Sequence, residues 1–366
     1  MNILQISSAS SFGGGERYVA DLTNALVARG HDVYVAVRPG SPLPRHLQLS
    51  PEKILTLPLR NALDVQSARE LEKFVRRRKI DVVHAHMARD YSLASYAARR
   101  NGKTKFIVTR HVLFKLNRLH RHTLSRATRV IAVSQAVARE LRATQIVKND
   151  QIAVIHNGID VERIKKTCAG LHRREFLRTI GMPVDAAVLV GSIGELRTLK
   201  RHDDFIRAAA LILKQFPETH FVLAGVGEIR SQLEQLVVEL DLRDNFHFPG
   251  WLDEADKLLC AMDVFVSASE TESFGLAIVE AMAAGTAVVA TATEGAQEVI
   301  EDQKSGVLVP IGDVKQIAES VINLLKDPEK RRTIATQSAQ SAAKRFSLTR
   351  MVDEIEKVYL AADLRG

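Results

Sequence analysis

At 366 residues and 46% hydrophobic content, the chain exceeds one ordinary domain and can bury two cores. Its two cysteines, Cys168 and Cys260, are too few for a disulfide framework or a structural zinc site, which predicts inert buried thiols and a reducing compartment. The net charge of +8 is uneven: residues 1–160 carry 26 Lys and Arg against 12 Asp and Glu, leaving 25 against 31 for the rest. A basic first half predicts contact with something anionic: nucleic acid, a membrane face or a phosphorylated acceptor. The start, Met1-Asn2-Ile3-Leu4-Gln5-Ile6, lacks a basic stretch leading into a long apolar one, and no apolar run reaches the roughly eighteen residues that cross a bilayer. The expected location is cytoplasmic, or peripheral on the inner face of the cell membrane.

Short apolar runs alternate with helical patterns, which predicts α/β layers with mainly parallel strands. The first set is Ile3 to Ile6, Val33 to Val37, Val82-Val83, Phe106 to Val108, Val130 to Val133 and Ala153 to Ile155. After the first strand, Ser10-Ser11-Phe12-Gly13-Gly14-Gly15-Glu16 reads as a flexible loop opening onto a helix near Glu16. Three consecutive glycines can approach a phosphate or sugar, although the spacing is not Gly-x-Gly-x-x-Gly and there is no Walker lysine. His84 and His86 follow Val82-Val83, and Arg110-His111 follow the Phe106 strand. Histidine at such places is a candidate hydrogen-bonding or acid/base group, while any single one is more often a satisfied structural residue. Arg110 to Arg126, with Lys115, Arg118, Arg121, His120 and His122 among Leu113, Phe114, Leu116, Leu119 and Leu124, reads as a basic amphipathic helix for a membrane face, or a solvated one.

His156-Asn157-Gly158-Ile159-Asp160 and the charged stretch to Gly181 connect this set to a second: Ala187 to Val190, Phe221 to Ala224, Phe246 to Phe248, Val264 to Val266, Ala287 to Ala290 and Val307 to Val309. Two doubly wound sheets follow, and ligands of such sheets bind beyond the C-terminal ends of the strands. Residues after strands are therefore the candidates: Arg197 and Lys200, Gly225-Val226-Gly227, and Trp251-Leu252, with core packing as the alternative for the sole tryptophan. No Asp-x-Asp occurs, which disfavours a divalent ion held by that motif and leaves a helix N-terminus and basic side chains to neutralise a diphosphate.

The densest signal is Glu272-Ser273-Phe274-Gly275-Leu276-Ala277-Ile278-Val279-Glu280. It follows a β-branched strand and runs into an unbroken helical stretch ending before Gly285, so Glu272 lies in a loop and Glu280 in a helix. The first helical amides, near Phe274, Gly275 and Leu276, lack intrahelical partners and suit a diphosphate. Ionised carboxylates accept hydrogen bonds only, so Glu280 can hold a ribose diol and Glu272 sugar hydroxyls. On spacing alone, a solvated loop glutamate and an ordinary helical one explain the pair equally well.

Taken together and in order, these motifs resemble the family four retaining glycosyltransferases over nearly the whole chain. The resemblance is carried by the Glu272-x7-Glu280 signature with Ala281-Met282-Ala283-Ala284-Gly285. Supporting segments are Gly13-Gly14-Gly15-Glu16, Arg29-Gly30-His31-Asp32-Val33, Asp81-Val82-Val83-His84-Ala85-His86, Val133-Ser134, Asn157-Gly158-Ile159-Asp160 and Gly225-Val226-Gly227. It implies the two-Rossmann GT-B fold, with an acceptor-side domain of residues 1–160 plus a returning C-terminal helix at about 346–366, and a nucleotide-sugar domain of residues 161–345. It implies a hexosyltransferase moving sugar from a UDP- or GDP-linked donor to a glycan or lipid-linked acceptor, as in cell-envelope polysaccharide or lipopolysaccharide assembly, with no cofactor and no metal.

By the same resemblance, Glu280 holds the ribose, Glu272 the donor sugar, the Ser273-Phe274-Gly275-Leu276 backbone and Lys200 the diphosphate, while His111 lies beside the reacting sugar. Gly14, Gly15, Arg197, Gly225, Trp251 and Leu252 join the donor side, and Gly13, Glu16, His86 and Arg110 the acceptor side. One departure stands out. Where the family has Arg-Leu-x-x-x-Lys-Gly, this chain has Glu195-Leu196-Arg197-Thr198-Leu199-Lys200-Arg201, so that either Arg197 replaces the missing arginine or Glu195 points elsewhere. Two other readings compete: a nucleotide-sugar 2-epimerase on the same fold, and a basic nucleic-acid-binding protein, which the 5% aromatic content and lack of a reader motif disfavour.

Overall fold

A computed structural model of the chain describes residues 1–99, 103–113 and 118–361. They form two units, Met1–Gly158 with Leu348–Gly366, and Ile159–Ser347. In chain order the first contains β1 (Asn2–Ser7), α1 (Gly14–Ala28), β2 (Asp32–Val37), β3 (Ile54–Thr56), α2 (Val65–Arg77), β4 (Val82–Ala85), α3 (Tyr91–Arg99), β5 (Lys105–Arg110), α4 (Arg118–Leu124), β6 (Arg129–Ala132), α5 (Gln135–Ala143) and β7 (Ile152–Val154). Its sheet is parallel throughout, in the order β3-β2-β1-β4-β5-β6-β7. Ile3 faces Val33 on one side and Val82 on the other, and all three are fully buried. Parallel strands covered on both faces need apolar residues at successive positions, which is why these runs were visible as strands.

The second unit follows as α6 (Val161–Ala169), α7 (Arg173–Thr179), β8 (Val188–Ile193), α8 (His202–Leu213), β9 (Thr219–Ala224), α9 (Arg230–Glu239), β10 (Phe246–Gly250), α10 (Ala255–Ala261), β11 (Val264–Ser267), α11 (Leu276–Ala283), β12 (Ala287–Thr291), α12 (Glu294–Val299), β13 (Val307–Val309), α13 (Val314–Lys326) and α14 (Pro328–Arg345). Its parallel order β10-β9-β8-β11-β12-β13 repeats the doubly wound plan. Phe205, Phe221, Val264 and Val289 lie in its core. The chain then returns to the first unit as α15 (Leu348–Ala361), whose Met351, Val352, Ile355 and Tyr359 pack among Ile3, Leu22, Val33 and Val82.

Two expectations need correction, and one strand was not foreseen. The Arg110 to Arg126 segment is not one helix: Arg110 ends β5, buried, and α4 occupies only Arg118–Leu124. Phe114, Lys115 and Leu116 of that expected helix lie outside the described residues. The three-residue β3 had no signal in the sequence, since Ile-Leu-Thr at a sheet edge is too short to show a period. The cysteines are not free thiols. Cys168 near the end of α6 and Cys260 near the end of α10 lie 92 residues apart in sequence, yet their Cα atoms are 5.2 Å apart and a disulfide joins them. Helix packing supplies the proximity, and the Cα separation lies within the usual range for such a bond. Among the described residues no helix is long and apolar enough to cross a membrane.

Alkylation of denatured, unreduced protein is expected to leave Cys168 and Cys260 unmodified by mass spectrometry. Reduction is expected to lower stability in urea titration by about 2–4 kcal/mol, as for a long closed loop.

Candidate active site

In the second sheet the strand order reverses between β8 and β11, so the chain leaves these neighbours in opposite directions and their C-terminal loops part. Lys200 closes the β8 loop and Glu272 lies in the β11 loop. Lys200 Nζ is 2.6 Å from Glu272 Oε1, which also accepts from Ser269 Oγ at 2.9 Å. A backbone bond from Glu270 N to Leu199 O, at 2.9 Å, ties the loops together beside this pair. The lysine is one-third exposed and the glutamate less so, hence the pair is partly shielded from water and more strongly coupled than a surface ion pair.

Behind Glu272 the loop is fixed from below. Thr291, at the end of β12, donates through Oγ1 to Ser269 O at 2.6 Å. Gly295 N donates to Glu272 O at 3.1 Å, and a Cβ on Gly295 would lie 2.6 Å from that oxygen and 2.8 Å from Phe274 N. Only glycine fits there, so Gly295 supports the loop although nothing in the sequence singled it out. Phe274 is 2% exposed and meets Phe346 edge-on at 5.5 Å, so its ring anchors the segment and its backbone is what it can offer a ligand. Gly275 has φ +91° and ψ +56° as N-cap of α11, a conformation costly for other residues, and lets the chain turn abruptly from Phe274 into the helix. Leu276 begins that helix and Glu280 lies in its second turn, partly buried.

The neighbouring loops stack backbone on backbone. Gly194 N donates to Ala224 O at 3.0 Å and Gly225 N to Gly250 O at 2.8 Å. A Cβ on Gly225 would meet Gly194 O at 1.9 Å, and one on Gly227 would meet Leu196 O at 2.3 Å. These glycines serve loop packing, since a side chain at either would collide with a neighbouring backbone carbonyl. Trp251 is not core: it is 48% exposed, its indole N–H donating to Asp253 Oδ1, and Leu252 beside it is partly buried.

The Glu195 departure finds its counterpart here, because Arg197 Nε lies 2.7 Å from Glu195 Oε1 and both side chains are more than half solvated or nearly so. Arg201 takes the φ +47° that a glycine would adopt freely, and is held by Asp204 at 2.7 Å. His202, not singled out from the sequence, lies buried beneath this loop with Nε2 3.2 Å from Glu195 O.

In the first unit, Gly13 caps α1, its N–H donating to Glu16 Oε2 at 2.9 Å, so Glu16 serves the helix start. Phe12 stacks on His46 with ring centroids 3.8 Å apart, fixing the loop entry. Gly13 and Gly14 are exposed, and Gly15 faces open space where a Cβ would touch nothing within 4 Å. Neither packing nor a positive φ requires glycine at that position.

His84 and His86 do not face solvent. His84 lies within β4, and both are buried, His84 contacting Tyr359 Oη at 2.6 Å and Thr109 Oγ1 at 2.7 Å, His86 contacting Gln5 Oε1 at 2.7 Å. The expectation of His86 as an acceptor contact is thereby corrected: alternation along the strand and its continuation turns it inward. Half-buried His111 sits outside it, Nε2 3.4 Å from His86 Nδ1, with Tyr18 edge-on at 4.7 Å. Burial drives His84 down to about 3 and His111 to about 4, the latter also repelled by Arg110, and drives His86 well below its ordinary value. The cluster is therefore neutral.

Chain comparisons agree with this architecture. A family model described as Glycosyltransferase Family 4 matches residues 12–163, and one described as Glycosyl transferases group 1 matches residues 174–341. A D-inositol 3-phosphate glycosyltransferase of Geodermatophilus obscurus is 30% identical over 97% of this chain and 86% of its own. The lipopolysaccharide core biosynthesis glycosyltransferase LpsE of Rhizobium meliloti is 29% identical over 93% and 94%. The Anabaena HepE crystal structure in complex with UDP superposes with a TM-score of 0.84 at 21% identity, covering 99% of this chain and 100% of HepE. The fold is GT-B, and the chain belongs to glycosyltransferase family 4. It is a hexosyltransferase dependent on nucleotide-sugar donors, and the epimerase and nucleic-acid readings are not favoured.

The buried imidazoles couple stability to pH. His84, His86, His111 and His202, the last also pushed down to about 4 by burial, stay neutral in the fold where the unfolded chain takes up protons. Their stabilisation is complete above the ordinary histidine value of about 6.5 and is lost as pH falls towards 4. Asp90, buried and pushed up to about 6, acts oppositely, favouring the fold as pH falls from 6. Four groups outweigh one, so the urea midpoint is expected to fall between pH 7 and pH 5; a flat or rising midpoint would contradict the neutral cluster.

Proposed function

We propose that the enzyme transfers a hexosyl group with retention from a uridine or guanosine diphosphate sugar to a glycan or lipid-linked acceptor in cell-envelope polysaccharide or lipopolysaccharide assembly. The observation that carries this reading is Glu272, held by Lys200 and Ser269 directly ahead of the Gly275 turn into α11. In the reaction, the bond from the anomeric carbon to the diphosphate oxygen breaks, the acceptor oxygen bonds to the same face, and its proton passes to the departing phosphate. Charge gathering on that phosphate is the main thing to stabilise. The first amides of α11 and the Lys200 ammonium meet it, Glu280 accepts from the ribose diol, and Glu272 from hydroxyls of the transferred sugar. Arg197 supplies the further cation after leaving Glu195, a separation costing about 1 kcal/mol or less for so exposed a pair. These groups are proposed to suffice without a divalent metal.

The basic first unit takes the acceptor, with Gly13 and Arg110 on that side, Gly14 and Gly15 bordering the donor, and His111 beside the reacting sugar. An acceptor of cell-envelope type is supported by likeness to LpsE, named for lipopolysaccharide core biosynthesis. Peripheral attachment to the inner membrane face is supported by the basic charge of residues 1–160. Absence of sedimentation with anionic vesicles at low salt would remove the membrane part.

A screen of uridine, guanosine and adenosine diphosphate sugars for slow donor hydrolysis tests the donor without needing an acceptor, and turnover of none would defeat the reading. With the active donor, Glu280→Gln and Arg197→Ala are each expected to weaken binding roughly tenfold, the worth of a charged hydrogen bond. Gly15→Ala separates function from structure. Alanine in the first turn of α1 is expected to leave stability unchanged or raise it by up to about 1 kcal/mol, while transfer falls.

A further inference from the structure

Gln5, His84, His86, Thr109 and Tyr359, all buried in the first unit, form with His111 one continuous chain of hydrogen bonds. As placed, Gln5 presents Oε1 to His86 Nε2 at 2.7 Å and donates from Nε2 to Tyr359 Oη at 3.4 Å. An amide oxygen only accepts, so His86 carries its proton on Nε2 and leaves Nδ1 as an acceptor. Nδ1 faces His111 Nε2 at 3.4 Å, which makes His111 the donor of that contact. On the other arm, Tyr359 accepts from Gln5 and donates to His84 Nδ1 at 2.6 Å, and His84 Nε2 donates to Thr109 Oγ1 at 2.7 Å. Read in this direction, all three imidazoles carry the proton on Nε2, the form an isolated histidine side chain prefers in water. Read backwards, with Gln5 flipped, all three would carry it on Nδ1.

No member of the chain except His111 lies outside the buried interior: Gln5, His84, Thr109 and Tyr359 are fully buried and His86 is nearly so. Deep burial makes each unmade bond costly and each proton position dependent on the next. We propose that His86, Gln5 and Tyr359 are positioning residues that fix His111 with its proton on Nε2, so that the Nδ1 lone pair is the atom offered to a sugar hydroxyl. His111 then reads a hydroxyl as a neutral acceptor and does not act as a cation towards phosphate. What His111 meets rests on the transfer reaction proposed above; the position of its proton does not.

The test uses the full chain labelled with 15N-histidine, in which long-range 1H–15N correlation spectra distinguish the two imidazole tautomers and His111→Ala assigns the signal. Wild-type His111 is expected to be neutral with its proton on Nε2 at pH 7. Tyr359→Phe deletes one hydroxyl from the middle of the chain and is expected to give mixed His111 tautomers and about a tenfold lower kcat, the rate equivalent of one hydrogen bond, with donor Kd unchanged. His86→Leu is expected to do the same, and His86→Asn, which keeps an acceptor oxygen near the Nδ1 position, to restore most of the loss. A wild-type His111 protonated on Nδ1 or on both nitrogens overturns the proposal even if no variant folds. So does an Nε2-protonated His111 whose signal and kcat are unmoved by Tyr359→Phe. If instead no donor is turned over while the tautomer and its response are as expected, the transfer reading fails and the positioning chain stands.

Discussion

The pairing of β8 with β11 is the constraint on which the rest of the second unit's site depends. Parallel backbone bonds hold the two strands side by side, and their onward connections leave in opposite senses, so neither loop covers the other. Lys200 and Glu272 meet because one closes the β8 loop and the other lies within the β11 loop beside it. The turn at Gly275 then aims the unpaired amides of α11 from the same place. Every other feature there, from Thr291 beneath Ser269 to the absent side chain of Gly295, keeps those two loops from drifting.

The two units solve the problem of polar side chains near their sheets differently. In the second, charge is balanced by charge at a partly shielded surface, and the pair can exchange partners when a ligand brings its own oxygens. In the first, ionisation is suppressed: imidazoles, hydroxyls and an amide satisfy one another in the interior, and burial holds them neutral. Ion pairing leaves room for rearrangement, whereas a closed neutral network resists it, since any broken link strands a buried donor or acceptor.

Much of the fold was legible because its strands are buried on both faces and written as runs of Val, Ile, Leu and Ala; Val264 to Val266 and Val307 to Val309 became strands almost residue for residue. Glu272, Gly275 and Glu280 were legible because loop, turn and helix start each leave a local mark. What escaped was non-local. The β3 edge had too few residues to show a period, and Cys168 and Cys260 meet only through helix packing. Gly225 and Gly227 were visible as glycines, but the carbonyls pressed against them belong to another loop. His86 was visible as a residue following a strand, while its inward turn and its contact with Gln5 depend on three-dimensional register. The pair Glu195 and Arg197 neutralise each other across a tight turn, in which Arg197 N also donates to Glu195 O, a local contact between opposite charges two residues apart.

The return of α15 to the first unit bears on how the protein is made. Leu348–Ala361 supplies Met351, Val352, Ile355 and Tyr359 to a core whose remaining parts end at Gly158. On a ribosome adding about 5–20 residues per second, the intervening unit takes roughly 10–40 s to emerge, and through that time the first sheet waits with one apolar face and the Gln5 and His84 side chains lacking their partner. The order of completion is thus inverted with respect to the order of synthesis: the half begun first is finished last, and the second unit, continuous in sequence, has every opportunity to fold ahead of it. The apolar surface left uncovered during synthesis lies in the N-terminal half, where α15 later covers it.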